Sequence, residues 1–140
     1  MKDALEVVET YILLFLGVEN KPIPSILHLE KEFFILSNYK PFLKEFFVFS
    51  ESSIGPFSDL IRDLVEYPTH LDQAWEIENG RIKITKKGEK LFNKVLQKYE
   101  KDKEFIEILE VIKNIRRIIE RMDKKDLLFL FQIIFPNYFK

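Results

Sequence analysis

Two histidines are the natural place to look for chemistry, because His28-Leu29-Glu30 and His70-Leu71-Asp72 each set an imidazole two residues from a carboxylate. Metal binding asks for more. A structural zinc takes four ligands and a catalytic zinc three plus water, and neither histidine has further donors at a diagnostic spacing. Cysteine is absent, which removes thiolate ligands, thiol nucleophiles and disulfides together and reads as an intracellular, cytoplasmic protein. The four glycines are too few for a phosphate-cradling loop, and no G-x-S-x-G elbow, P-loop or G-x-G-x-x-G occurs. The carboxylates are interleaved with lysines along helical stretches, the pattern of a solvated face. Both histidines are therefore expected to be structural or solvent-exposed. The chain is expected to be no enzyme and to use no cofactor, metal or small-molecule substrate.

Charge is the next feature able to do work. The formal net charge is −1, yet residues 1–79 carry 6 basic and 14 acidic side chains while residues 80–125 carry 15 basic and 8 acidic. Such asymmetry either marks a polyanion-binding surface or lets two halves or two subunits attract each other. The longest apolar runs, residues 11–18 and 127–135, fall short of the roughly 20 residues of a membrane span, so no membrane partner is expected. A chain of 140 residues with 46% hydrophobic content and 14 Phe has ample material for a core.

The elements that must position these charges can be read in order. Asp3 with Glu6 resembles a capping box opening a helix over residues 4–16, apolar nearly all round and hence central. Pro22 and Pro24 exclude helix, and Ser25 is a cap for a second helix over residues 26–36, with Leu29, Phe33 and Leu36 inward and Glu30, Lys31 and Glu32 largely outside. Residues 38–41 read as a turn, and residues 42–49 are ambiguous between a short helix and a strand. The aromatic side chains from Phe33 to Phe49 are expected in the core rather than as stacking platforms. Gly55 as N-cap with Pro56 at the first helical position opens a third helix to Tyr67. Its inner stripe is Leu60, Ile61, Leu64 and Val65.

Asn79-Gly80 between two alternating runs predicts a hairpin in which Trp75 faces Ile84, Glu76 faces Lys83, Ile77 faces Ile82 and Glu78 faces Arg81. Thr85 caps a fourth helix with Leu91, Phe92, Val95, Leu96 and Tyr99 inside. The order is that of a winged helix: a mainly α fold with a small β-hairpin, assigned to residues 1–101. Residues 102–140 add two C-terminal helices. In the first of them Phe105, Ile108, Ile112, Ile115, Ile119 and Met122 recur at heptad spacing, a seam suited either to packing back on the domain or to forming a homodimer interface, the latter being favoured.

Two surfaces compete for function. The third helix and the hairpin tip present Asp59, Arg62, Asp63, Glu66, Asn79 and Arg81, a face whose sign is wrong for phosphate and right for a protein partner. On the fourth helix Lys87, Lys90, Lys94, Lys98 and Lys101 fall within about an 80° arc. Continued by Lys86, Lys113, Arg116, Arg117 and Arg121, this stripe is the candidate contact for DNA.

Leu29-Glu30-Lys31, then Gly55-Pro56-Phe57-Ser58, then Ile84-Thr85-Lys86-Lys87-Gly88 resemble, in order and separation, the Leu-Gln-Lys, Gly-Pro-Tyr-Ser and Leu-Thr-x-x-Gly of the Panacea antitoxin superfamily and its uncharacterised archaeal and phage-associated winged-helix relatives. The resemblance spans residues 4–98. Glu30 and Phe57 depart from the pattern, and no glycine precedes the first hairpin strand. The resemblance implies a non-catalytic regulatory module, in some members an antitoxin that neutralises a toxin by protein contact. The expected function is a dimeric, antitoxin-like protein acting through protein contacts, with a DNA-binding transcriptional regulator using the lysine face as the alternative.

Overall fold

Capping side chains start each helix where the backbone would otherwise leave amide groups unpaired. In the computed structural model, which describes residues 3–140, the Asp3 carboxylate accepts from the Leu5 amide and opens α1, Ala4–Gly17. Val8 and residues 12–16 of α1 are all buried, so α1 is the central element the sequence implied. It packs against α3, α4, α5 and β2 as these are defined below.

Ser25 caps α2, Ile26–Tyr39. This helix continues three residues beyond the expected end, taking in Asn38 and Tyr39, and stops at Lys40, the residue that Pro41 pushes out of helical geometry. The larger correction concerns its polar residues: Glu30, Lys31 and Glu32 are fully buried. The reading of Leu29, Phe33 and Leu36 as the sole inner stripe fails because α2 is covered on two sides, by α3 on one and by α5 on the other.

The ambiguous stretch after α2 is neither helix nor strand in full. Pro41–Glu45 forms a 3₁₀ turn, and the chain then continues without regular structure to Ser50, which exchanges backbone hydrogen bonds with Phe57. Phe33, Phe34 and Phe47 are buried and stack edge to face among themselves and their neighbours, as expected of core aromatics, whereas Tyr39 and Phe42 are 51% and 46% exposed and depart from that expectation.

That Ser50–Phe57 pairing also moves the start of α3, Asp59–Glu66. Phe57 is held extended, so Ser58, not Gly55, is the N-cap, accepting from the Ile61 amide. Gly55 lies in the preceding loop at φ +87°, where a Cβ would meet the Phe139 ring at 2.8 Å.

The hairpin of β1, Trp75–Glu78, and β2, Arg81–Ile84, has the predicted register, with Asn79 at φ 53° and Gly80 at φ 78° in the turn. Ile23 exchanges backbone hydrogen bonds with Ile82 at 2.9 and 3.0 Å, adding one residue of a third strand to β2's free edge. Thr85 caps α4, Lys86–Lys98, and Trp75 Nε1 donates to the Val65 carbonyl at 2.9 Å, tying the hairpin to α3.

Asp102 and Asp123 cap α5, Lys103–Ile119, and α6, Lys124–Ile134. A 3₁₀ turn over Pro136–Tyr138 follows, and the tail returns to the loop before α3, where Tyr138 and Lys140 hydrogen-bond the Ser52 backbone. Ile108, Ile112, Ile115 and Ile119 are buried against α1 and α2 in the same hydrophobic core as the rest of the chain, with Phe105 and Met122 half-buried at its margin. The seam offered for a homodimer is thus occupied in cis. No helix among the described residues is long and apolar enough to cross a membrane.

Candidate recognition face and its buried supports

The loop 55–58 and the middle of α2 meet in one charged cluster. Glu30 Oε2 accepts from the Ser58 amide at 2.9 Å and from Arg62 Nε at 2.9 Å, while its Oε1 accepts from Arg62 Nη2 at 3.1 Å. Lys31 Nζ reaches the Pro56 carbonyl at 2.8 Å and stands 3.4 Å from Glu30 Oε1. Burial pulls the Lys31 ammonium down to about 8, against the opposing pull of Glu30's charge and hydrogen bond. Arg62 covers the Phe57 ring with its guanidinium 4.7 Å from the centroid. Residues chosen as separate sequence motifs, 29–31 and 55–58, are therefore the two sides of a single lock between α2 and α3.

This lock decides the charge of α3's outer face. Arg62 is its sole basic residue and is turned inward in a bidentate pair, the geometry that guanidinium and carboxylate favour. Asp59, Asp63 and Glu66 remain exposed, followed by Tyr67, which is 75% exposed. Asn79 and Arg81 are exposed at the hairpin tip. Arg62 must accordingly be removed from the outward-facing set, which becomes more acidic than the sequence count implied.

The connection from α3 to the hairpin is held by another carboxylate that the sequence reading passed over. Glu9, fully buried on α1, accepts from the Thr69, His70 and Leu71 amides at 3.1, 2.9 and 2.9 Å and from the Thr69 hydroxyl at 2.7 Å. Burial would raise its carboxyl, but these four donors outweigh that effect and hold it below the ordinary value. His70 lies beside it, with Nδ1 at 3.4 Å from Glu9 and Nε2 at 3.6 Å from Asp3. His28 is a buried strut, 2.6 Å from the Ser25 hydroxyl and 2.7 Å from the Met122 carbonyl. Among the described residues no group of three or more His, Asp and Glu is arranged to hold a metal ion.

On the other side of α2 sits a second cluster. Arg116, counted from sequence as a continuation of the lysine stripe, is fully buried. It forms a bidentate pair with Glu120 at 2.6 and 2.9 Å and donates to the Phe15, Lys21 and Pro22 carbonyls. Glu32 faces this pair, and neither of its carboxyl oxygens has a donor. Burial first, and then the Glu120 carboxylate, push the Glu32 carboxyl well above its ordinary value. We read Glu32 as neutral, its proton shared toward Glu120.

The lysine face is shorter than its sequence version. Lys87, Lys90, Lys94 and Lys98 are exposed along α4, but the helix ends at Lys98, so Lys101 lies in the turn beyond the stripe. Lys87 is tied to the Asp72 carbonyl at 2.8 Å, and Arg117 pairs with Glu19.

The chain matches no family model, and comparison with curated proteins and with solved structures finds none similar to it.

Proposed function

We propose that the chain is a winged-helix regulatory protein, related in type to Panacea antitoxins, that works without catalysis by presenting α3 and the hairpin tip to a basic protein partner inside the cell. Three features support the fold assignment. The element order is helix, single-residue strand at Ile23, two helices, then a hairpin acting as the wing. Two of the three motifs of the resemblance touch one another through Glu30, Lys31, Pro56 and Ser58. Trp75 fixes the wing to α3.

The single observation that carries the functional reading is the inward Arg62. A helix that enters a DNA groove must neutralise phosphate, because that term supplies most non-specific affinity. Here the one cation of α3, 29% exposed, is folded back onto the buried Glu30, and three carboxylates face outward. A basic protein surface is the complement of that face. Affinity purification of the full chain from its native host, beside an Asp59→Lys/Asp63→Lys/Glu66→Lys variant, tests the proposal. A stoichiometric protein partner is expected with the wild type and not with the variant. Submicromolar binding to duplex DNA at physiological salt, steeply salt-dependent and abolished by Lys90→Glu/Lys94→Glu/Lys98→Glu, would replace it with the DNA-regulator reading.

A further inference from the structure

Where α4 turns into α5, a cavity of about 370 Å³ opens against α1. Its floor is Leu14 and Ile108, both buried, and its walls carry the rings of Tyr11 from α1, Phe42 from the 3₁₀ turn, Tyr99 from the end of α4 and Phe105 from α5. Val7 and Val95, both half-buried, complete the walls from α1 and α4. We propose that this cavity binds a small organic amine in its protonated form, with an aromatic or branched apolar body inside and the ammonium at the mouth, independently of what α3 binds.

The polar groups of the lining decide the sign of the ligand. Thr10 Oγ1 donates to the Glu6 carbonyl at 2.8 Å, so it turns only lone pairs toward a ligand. Asp102 Oδ1 accepts from the Phe105 amide at 3.1 Å as the cap of α5, which leaves Oδ2 as an acceptor. Glu104 is exposed and makes no hydrogen bond or ion pair among the described residues, and the Tyr11 hydroxyl has no hydrogen-bond partner among them either. Burial and then the charge of Glu104 push that hydroxyl up to about 12, so the carboxylate lies within electrostatic reach of it. Acceptors thus outnumber donors around the cavity, the complement of an ammonium and its N–H groups. A carboxylate or phosphate would instead meet two like charges.

No lysine or arginine lines the cavity to cancel that charge. Lys40, whose field reaches Glu104, is bound to Glu107 at 3.1 Å, and Lys101 and Lys103 are exposed outside the lining. The rings add a further attraction, because an aromatic face draws a cation through its quadrupole. Tyr99 and Phe105 stand 5.1 Å apart, and Lys98 Nζ, which is not part of the lining, already lies 5.4 Å from the Tyr99 centroid. The volume falls at the small end of ligand cavities, which run from about 300 to 1,000 Å³, and suits a body of one ring.

Calorimetric titration of the full chain at neutral pH with 2-phenylethylamine, 2-phenylethanol and 3-phenylpropanoate tests the proposal, since the three share a phenyl body and differ in charge. The amine is expected to bind about tenfold more tightly than the alcohol, and the carboxylate not at all. Glu104→Gln should cut the preference for the amine to about threefold, Asp102 remaining, and leave the affinity for the alcohol unchanged. Val95→Phe and, separately, Val7→Phe fill the cavity from α4 and from α1, and each should abolish binding of both ligands with the circular dichroism spectrum unchanged. Nuclear Overhauser contacts from the amine's ring to Tyr11 and Phe105 in the wild type locate the site even where a filled variant fails to fold. An amine that does not bind, an alcohol or carboxylate that binds as tightly, or a preference unchanged by Glu104→Gln would overturn the proposal. A folded, filled variant that still binds the amine, or ligand contacts to other residues, would do the same.

Discussion

Replacing Glu32 by Gln should stabilise the protein at neutral pH, and by an amount that grows with pH. The carboxyl of Glu32 is fully buried between α2 and α5 and faces Glu120, whose own charge is already matched by Arg116. Its folded-state value therefore stands well above the ordinary 4.5, and the folded state holds a proton that the unfolded state releases. The sign follows by linkage. Between 4.5 and the raised folded value the native state binds more protons, so stability falls as pH rises.

Each pH unit in that window removes up to about 1.4 kcal/mol, so by pH 7.5 the loss is at most about 4 kcal/mol if Glu32 stays protonated throughout. Gln keeps the shape and can donate an N–H to Glu120 as the neutral carboxyl does, but it does not titrate. Urea unfolding of both proteins at half-unit steps from pH 4.5 to 8 measures the difference. The two stabilities should converge near pH 4.5 and separate above it, with the Gln variant higher. Parallel curves, or a Gln variant less stable than wild type at pH 7.5, would show that Glu32 is ionised in the fold and that the assignment of a shared proton is wrong.

Two other buried carboxylates behave differently because each is surrounded by hydrogen-bond donors. Glu30→Gln leaves the Ser58 amide an acceptor but strips the counter-charge from Lys31 and Arg62, and removing one member of a buried ion pair costs roughly 3 kcal/mol or more. Hydrogen exchange should quicken first in α3, and unchanged protection there would refute the lock between α2 and α3. Glu9→Gln concerns the opposite end of the pH scale: the Glu9 carboxyl sits below its ordinary value, so its contribution is present above about pH 4.5 and is lost as pH falls through the folded value. The variant should be less stable than wild type by about 1–2 kcal/mol at pH 7 and equal to it in strong acid. A gap independent of pH would mean that the four donors do not act on a charge.

What could be read from sequence was local. Asn79-Gly80 sets its turn from two residues alone, and the register of β1 and β2 followed. Asp3, Ser25 and Thr85 cap the helices they were assigned to because capping is decided within one turn. Gly55-Pro56 is a start signal by propensity, yet α3 starts later, because the bonds between Ser50 and Phe57 close Gly55-Pro56 into a turn and leave Ser58 as the cap. By the 3.6-residue period Glu30, Lys31 and Glu32 belong on the surface, but that period does not tell how many faces of a helix are covered. Their burial depends on α5, whose Arg116 lies 84 positions downstream of Glu32. The available signal was Arg116 with Glu120 one turn on, charges set among the apolar residues of a heptad seam.

The two clusters leave α2 by different sides, since residues two apart on a helix point about 200° from each other. Glu30 faces α3 and its loop, Glu32 faces α5, and Lys31 fills the space between by reaching the Pro56 carbonyl. The orientation of α3 is thus fixed by ion pairs inside the protein, which is why its outward face can be almost purely acidic without a cation to balance it. A buried pair of this kind adds little net stability, because desolvation consumes most of the attraction, but it penalises any arrangement that separates the charges. α3 is consequently held in one position before a partner arrives, and a rigid face loses less entropy on binding than a mobile one. For a protein whose proposed task is to hold a partner rather than to transform it, that preorganisation is the property the buried charges supply.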